Sequence, residues 1–119
     1  EISELIEGLI KASKFVKQGG KIIVISFHSI EDKIVKYFFT NYSSNKSRPS
    51  RYLPIEEEKN NILFEDYFND FFEPSVEEIS KNPASRSAKL RFVIRKKNAF
   101  IYPENFKIKF RKYLDLENA

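Results

Sequence analysis

The 119-residue sequence contains no cysteine, one histidine and three glycines. The lack of cysteine excludes disulfides, thiolate zinc sites and a cysteine nucleophile, and it fits the reducing environment of the cytoplasm. A single histidine cannot form a multi-histidine metal site, so we expect no metal. The glycines, at positions 8, 19 and 20, form neither a phosphate-binding loop nor a dinucleotide-binding fingerprint.

Long apolar runs are also missing. The longest, Ile22 to Ile25, has the length of a strand and falls far short of the roughly 20 residues that a membrane helix needs. Nothing resembles a signal peptide, so we expect a cytoplasmic protein that does not enter a membrane. With 41% hydrophobic and 15% aromatic residues, the chain can form one domain with a core.

The charged residues are segregated along the chain. Nine acidic residues stand against one lysine between Glu56 and Glu78, and ten basic residues stand against one glutamate between Arg86 and Tyr113. The basic C-terminal third suggests an anionic partner, most plausibly a nucleic acid. The alternative is a solvated surface in a lysine-rich protein.

The N-terminal part reads as helix, strand and helix. Apolar residues at helical spacing predict a first helix to about Gln18, which Gly19-Gly20 would cap and break. A β-branched run predicts a strand over 21–27 that is buried on both faces. Ser29 fits a helix N-cap, with an acid three residues on, and predicts a second helix to about Tyr42. This order is half of an α/β crossover unit.

The second half is less regular. Residues 43–61 are polar and predict a surface loop, and the aromatic stretch that follows predicts a strand near 62–68. Ser75 predicts the N-cap of a short helix to about Lys81. The alternation over 88–95 predicts a strand whose wet side carries the basic residues. The tail from Pro103 fits either a helix or a strand.

The only histidine lies where the first strand would meet the second helix. Ligands of open α/β sheets collect outside the carboxyl ends of the strands, so Ser26, His28 and Ser29 would line that edge. A helix N-terminus there would favour an anion, and His28 could transfer a proton or donate to a phosphate. In the alternative interpretation, Ser29 is only a helix cap, and His28 is a neutral side chain whose hydrogen bonds are made by backbone groups. We expect Glu31 and Asp32 to act as capping and helix-dipole residues.

A second dense cluster contains Arg86, Lys89 and Arg91, around a turn that enters the last predicted strand. Such a cluster can hold phosphates. It can equally pair with the acidic segment 56–78, and the residues alone leave both interpretations open.

Two stretches resemble segments of one family. "GGKIIVISFHSIEDKIVKYFF", residues 19–39, resembles the "ISFHSLED" segment of the RsmH/MraW methyltransferases, in which two glycines, a strand and a helix surround that motif. "PSVEEISKNPASRSAKLRFVIRK", residues 74–96, resembles the closing "RSAKLR" segment of the same family. The two stretches occur in the same order as in the family, and the resemblance covers roughly residues 1–97.

The resemblance implies an α/β fold, namely the C-terminal part of a class I, Rossmann-like methyltransferase sheet that ends in an antiparallel hairpin. Residues 21–27 would be the fifth strand of a mostly parallel seven-stranded sheet, and strands near 62–68 and 88–95 would form the hairpin. Residues 1–97 would be the C-terminal portion of the methyltransferase domain. Residues 98–119 would be a tail of unknown role.

The resemblance also implies an activity. The family uses S-adenosyl-L-methionine to methylate N4 of a cytosine in small-subunit (16S) ribosomal RNA near the decoding centre. Its glycine-rich cofactor loop belongs to an N-terminal part that is not in this sequence. The chain therefore looks like the C-terminal third of the enzyme, which we expect to be inactive alone, and no cofactor-binding residue carries over.

The same resemblance assigns candidate roles. Ser26, His28 and Ser29 would lie on the substrate side of the methyl donor as candidate catalytic groups. Three basic residues would either hold the backbone of the ribosomal RNA, free or in the assembled small subunit, or lock the last strand in place: Arg86, Lys89 and Arg91. The alternative from another class is a short, non-catalytic protein that binds RNA or a partner.

Overall fold

The computed structural model describes residues 2–45 and 62–117 of the chain. Those residues contain five helices and two strands. In chain order they are α1 (Ile2–Phe15), β1 (Lys21–Ser26), α2 (Ser29–Asn41), α3 (Val76–Lys81), β2 (Lys89–Ile94), α4 (Glu104–Lys109) and α5 (Arg111–Glu117), with a 3-10 turn at Pro83–Ser87 before β2. The mixed α/β class predicted from the sequence is confirmed.

The two strands pair directly with each other. They run antiparallel, with Lys21 opposite Ile94 and Ser26 opposite Lys89. The predicted strand near 62–68 is absent from this described part, where Phe64 makes only isolated bridges, to Ser43 and to Arg95 just after β2. Polar residues interrupt its alternation, and Asn69 adopts a φ of 62°, which breaks an extended chain. The antiparallel partner of β2 is therefore β1.

The Gly19-Gly20 pair turns the chain from α1 into β1, as predicted, although α1 ends three residues earlier than expected. Gly19 has a φ of 84°, and its N–H donates to the carbonyl of Arg95 at 2.8 Å. At Gly20, a side-chain Cβ would lie 2.8 Å from the carbonyl oxygen of Lys17. Both positions therefore require glycine, for backbone conformation and for space respectively.

The core is aromatic and is centred on α2. Its side chains Phe38 and Phe39 are fully buried, and the ring of Phe38 stacks on Phe106 of α4 with centroids 4.4 Å apart. Phe110, at the end of α4, is 2% exposed and meets the ring of Tyr37 edge-on. The tail is thus helical, the first of its two predicted forms, and it seals the core that α1 and α2 begin.

The two faces of the sheet differ, and both sequence-based expectations about them are wrong. β1 is buried on one face only, because Ile23 and Ile25 are 57% and 54% exposed. In β2 the basic face is the buried one, with Arg91 and Arg95 at 3% and 2% exposure. In β1, the β-branched run shows that the strand can be buried on both faces, but not whether another element covers each face. In β2, the arginines can be buried because hydrogen-bond acceptors surround their guanidinium groups.

The local predictions around the other elements are mostly met. Ser75 caps α3 by accepting a hydrogen bond from the N–H of Glu78 at 3.1 Å. The predicted loop 43–61 lies largely outside the described residues, which leave out 46–61. Within the part that is described, no helix is long and apolar enough to cross a membrane.

Candidate functional site

The turn from β1 into α2 forms one wall of the candidate site. His28 has extended backbone angles, φ −124° and ψ 148°, and is the residue that precedes the helix. Ser29 is therefore the first helical residue, and the prediction that it caps α2 is wrong by one position. No side chain caps α2 at His28. The Glu31 carboxylate instead accepts the backbone N–H of Phe27, which precedes the cap residue, at 3.2 Å.

An open cavity of about 430 Å³ lies between this turn and the residues that lead into β2. It is lined by Phe27, His28, Ser29, Asp32, Ser87 and Lys89. The cavity thus brings together the two sequence segments that carry the resemblance, although they are more than 50 residues apart along the chain. His28 and Ser29 are exposed to it, as the sequence predicted.

Ser26 does not line this cavity, and that expectation is corrected. Its side chain is 4% exposed, and its hydroxyl donates to a carboxylate oxygen of Asp32 at 3.3 Å. The alternating direction of side chains in β1 places Ser26 on the same buried side as Ile22. Ser26 therefore supports the site from behind.

Asp32 is the ionic centre of the site. Arg91 donates to both of its oxygens, from Nε at 2.7 Å and from Nη2 at 2.9 Å. These hydrogen bonds lower the pKa of the Asp32 carboxyl below its ordinary value of 3.8, against the opposing effect of burial. Asp32 is consequently ionised and a weak base, and it holds α2 to β2 more than it serves the helix dipole.

Arg91 lies in the interior, behind the cavity. Its third nitrogen, Nη1, donates to the hydroxyl of Tyr67 at 2.8 Å, and the hydrogen bond to Asp32 raises the pKa of the guanidinium. Burial in turn raises the pKa of the Tyr67 phenol. With 3% exposure, Arg91 does not face solvent, so of its two expected roles this geometry favours locking the last strand.

Lys89 and Arg86 remain at the surface. The Lys89 ammonium lies 3.7 Å from Asp32 and 4.9 Å from the ring centroid of Phe71, and its side chain is 40% exposed. Lys89 is thus a second cation beside Asp32, whose carboxylate Arg91 already holds through two hydrogen bonds. Arg86 is exposed in the 3-10 turn.

The alternative in which this basic cluster pairs with the acidic segment 56–78 is not observed for residues 62–78. The ion pairs of the described residues join Asp32 to Lys89 and Arg91, and otherwise lie within α3 and between α1 and α4. Residues 56–61 lie outside the described ranges.

Sequence reasoning missed the partnership of Asp32, Arg91 and Tyr67. Arg91 is 59 residues from Asp32 and 24 residues from Tyr67 along the chain. Each residue alone has an ordinary local explanation, as a first-turn acid, a basic strand residue or an aromatic residue. The one available signal was an arginine in the interior of a strand, since a buried guanidinium demands a carboxylate or several carbonyl acceptors.

The residues present do not fit a site for S-adenosyl-L-methionine. The chain has no glycine-rich loop, and its glycine pair precedes β1, at the opposite end of the strand from His28. Among residues 2–45 and 62–117, no group of three or more histidine, aspartate or glutamate side chains could hold a metal ion. The cavity lining is mostly polar, with His28, Ser29 and Lys89 among its side chains.

Comparison with known proteins gives one family. The model of the MraW methylase family matches residues 1–97. Over 95 residues the chain is 47% identical to ribosomal RNA small subunit methyltransferase H of Bartonella bacilliformis and 44% identical to that of Agrobacterium fabrum. Those residues are 80% of this chain but only 28% and 27% of the two relatives, so the chain spans less than a third of their length. The chain belongs to the MraW methylase family.

Proposed function

We propose that this chain forms the RNA-facing wall of an enzyme that methylates N4 of a cytosine in 16S ribosomal RNA. The carrying observation is the cavity in which the two family segments meet, with His28 from the first and Lys89 from the second. The ribosomal RNA methyltransferases to which the chain is similar support this choice of substrate.

In this proposal Lys89 and Arg86 contact phosphates of the substrate RNA. Arg86 is exposed and the side chain of Lys89 is 40% exposed, and Arg91 already holds Asp32 through two hydrogen bonds. Phosphate contacts of this kind fix the position of the RNA without reading its sequence. The target base can then enter the neighbouring cavity from an unstacked position.

The imidazole of His28 is the side chain in the cavity to which we assign proton transfer. Methyl transfer to an aromatic amine needs a fixed orientation and an acceptor for the amine proton. Asp32 is unsuited to that task, because hydrogen bonds from Arg91 lower its pKa. Ser29 offers a hydroxyl to orient the base, whereas Ser26 acts indirectly by bonding Asp32.

The methyl donor in this proposal is S-adenosyl-L-methionine, which supplies an electrophilic methyl group when it is bound. Its site would have to come from the portion of the family that this chain does not span. We therefore expect the 119-residue chain to bind ribosomal RNA but to transfer no methyl group by itself.

RNA binding can be tested with the chain as it is. The affinity for small-subunit ribosomal RNA would be measured at several salt concentrations, and Lys89→Ala should reduce the slope of log K against log salt by about 1. Lys11→Ala, which removes an exposed cation from α1, is the matched control and should leave the slope unchanged. An equal effect of both variants would contradict the assignment of Lys89.

The role of His28 needs an enzyme in which the missing portion is supplied from a relative. His28→Ala should lower methyl transfer to small ribosomal subunits while circular dichroism and thermal unfolding stay unchanged. Undiminished transfer would remove His28 from the mechanism. RNA binding without any methyl transfer by the complete enzyme would favour the alternative, a non-catalytic RNA-binding protein.

A further inference from the structure

The tail beyond the family match places a cation against α2. Phe106 and Phe110 are buried, so the segment around α4 is held against the core. Phe110 meets the ring of Tyr37 edge-on, and the ammonium of Lys109 lies 5.5 Å from the centroid of that same ring. Lys109 is exposed, and the burial of its neighbour Phe110 fixes its position. The tail therefore adds a positive charge at a defined place beside α2.

Two lysines of α2 lie next to this cation. Lys33 is four residues before Tyr37, so the two side chains adjoin on the helix surface, and Lys36 follows Lys33 by one turn. Both lysines are exposed, on the side of α2 opposite the buried ring of Phe38. We call these three residues the basic patch: Lys33, Lys36 and Lys109.

Carboxylates do not neutralise the basic patch. In residues 2–45 and 62–117, the ion pairs lie at Asp32, within α3 and between α1 and α4, and none of them includes a residue of the basic patch. Asp32, which is four residues before Lys36, is held by two hydrogen bonds from Arg91. Like charges that share one surface repel one another, and a polyanion bound there would relieve this repulsion.

The basic patch continues the surface of the candidate site. Ser29, which lines the cavity, is four residues before Lys33 and lies on the same side of α2. From Ser29 to Tyr37 the helix rises about 12 Å, a distance that a nucleic-acid strand covers in a few nucleotides. An RNA strand whose target base enters the cavity can therefore continue along α2 without leaving the protein surface.

We propose that the basic patch binds phosphates of the RNA strand that flanks the target base, which makes the tail an RNA-binding element. This inference rests on the proposed function, because it extends the same RNA-binding surface from Lys89 across the cavity to α4. The occupant follows from charge complementarity. Ammonium groups at adjoining positions match the repeated charges of a phosphate backbone, and they hold it without reading the bases.

The salt dependence of RNA binding tests the basic patch in the 119-residue chain. Lys33→Ala and Lys109→Ala should each reduce the slope of log K against log salt for small-subunit ribosomal RNA by about 0.7 to 1, and the double variant by about twice that amount. Lys109→Arg keeps the charge and should keep the slope, which separates charge from packing against Tyr37. Lys17→Ala is the matched control, since it removes an exposed cation before β1, at the opposite end of the strand from His28.

Lys89→Ala, measured in parallel, separates this inference from the proposed function. A reduced slope in Lys89→Ala with unchanged slopes in Lys33→Ala and Lys109→Ala would overturn the role of the basic patch alone. The reverse result would support the basic patch and remove Lys89, and unchanged slopes in all three variants would contradict both. Unchanged binding of free RNA with weakened binding of the assembled small subunit would also overturn the inference, because the basic patch would then contact a ribosomal protein.

Discussion

The two faces of the β1–β2 sheet reverse the usual distribution of residues. The face against α2 buries Arg91 and Arg95, while the other face leaves Ile23 and Ile25 more than half exposed. Arg95 is accommodated by oxygen acceptors alone: Nε donates to the carbonyl of Ser13 at 2.9 Å, and Nη1 donates to the side chain of Asn98 at 2.7 Å. Whether a side chain of this sheet is buried depends on which element packs against its face. For an arginine it also depends on whether each guanidinium N–H group has an acceptor.

The largest effect should come from breaking the ion pair on the buried face. Asp32→Ala leaves the Arg91 guanidinium buried without its carboxylate, and we expect a loss of about 3–5 kcal/mol in the free energy of unfolding. This loss is measured by urea unfolding of Asp32→Ala, of Arg91→Ala and of the double variant. The double variant should lose less than the sum of the two. Additive losses would show that the two side chains are not coupled.

Replacing the second arginine should cost less. Arg95→Met removes the donors to the carbonyls of Ser13 and Leu63 but leaves no charge behind, so we expect a loss of about 1–3 kcal/mol in urea unfolding. Lys97→Met changes an exposed neighbour of similar length and should stay within about 0.5 kcal/mol of the parent chain. A stabilised Arg95→Met chain would mean that desolvation of the guanidinium outweighs its hydrogen bonds.

Acid should lower the stability contributed by Asp32 gradually, and by less than the Asp32→Ala substitution does. The pKa of Asp32 is lower in the folded chain than its ordinary value of 3.8, so its contribution is fully present above that pH. The contribution is lost as the pH falls below 3.8 and through the lowered pKa. Urea midpoints recorded over this range should fall less steeply for Asp32→Asn than for the parent chain. Parallel profiles would show that another carboxyl controls acid unfolding.

The smallest loss of stability is expected for a change at Ile23, on the exposed face of the sheet. Its buried neighbour Ile22 provides the comparison. Ile23→Thr should change the free energy of unfolding of the 119-residue chain by no more than about 0.5 kcal/mol, because the side chain is already in water. Ile22→Thr places a hydroxyl in the core and should cost about 1–3 kcal/mol. Thermal or urea unfolding of the two variants measures this difference in stability. Equal losses in the free energy of unfolding would mean that the Ile23 side chain is buried in the isolated chain.

Much of the local structure was predictable because its causes are local. Gly19 adopts the left-handed conformation that its position before a strand implied, and Ser75 caps α3 through the predicted hydrogen bond. The exposure of the two sheet faces was not predictable, because alternation assigns side chains to two sides without saying which side has a neighbour. The strand predicted near 62–68 did not form for a similar reason, since Phe64 and Tyr67 fill the core from a non-strand backbone while Phe68 stays exposed.

The candidate site divides in the same way. His28 and Ser29 were predicted at the edge where β1 ends, and Lys89 in a separate basic cluster before β2. The structure brings all three to one cavity. Ser26 was predicted at that edge and Arg91 in that cluster. Both lie behind the cavity, because Asp32 bonds both side chains and Tyr67 bonds Arg91. Only a tertiary contact distinguishes a lysine that meets solvent from an arginine two residues later that does not.

The helical tail has a consequence for where this protein can be divided. The family match ends at residue 97, yet Phe106 and Phe110 of the tail are as deeply buried as Phe38 of α2. The tail therefore belongs to the same folding unit as the matched region. An expression boundary placed at residue 97 would divide one aromatic core between two polypeptides and uncover Phe38, so the extent of the family match is not a guide to where a folded fragment can be cut.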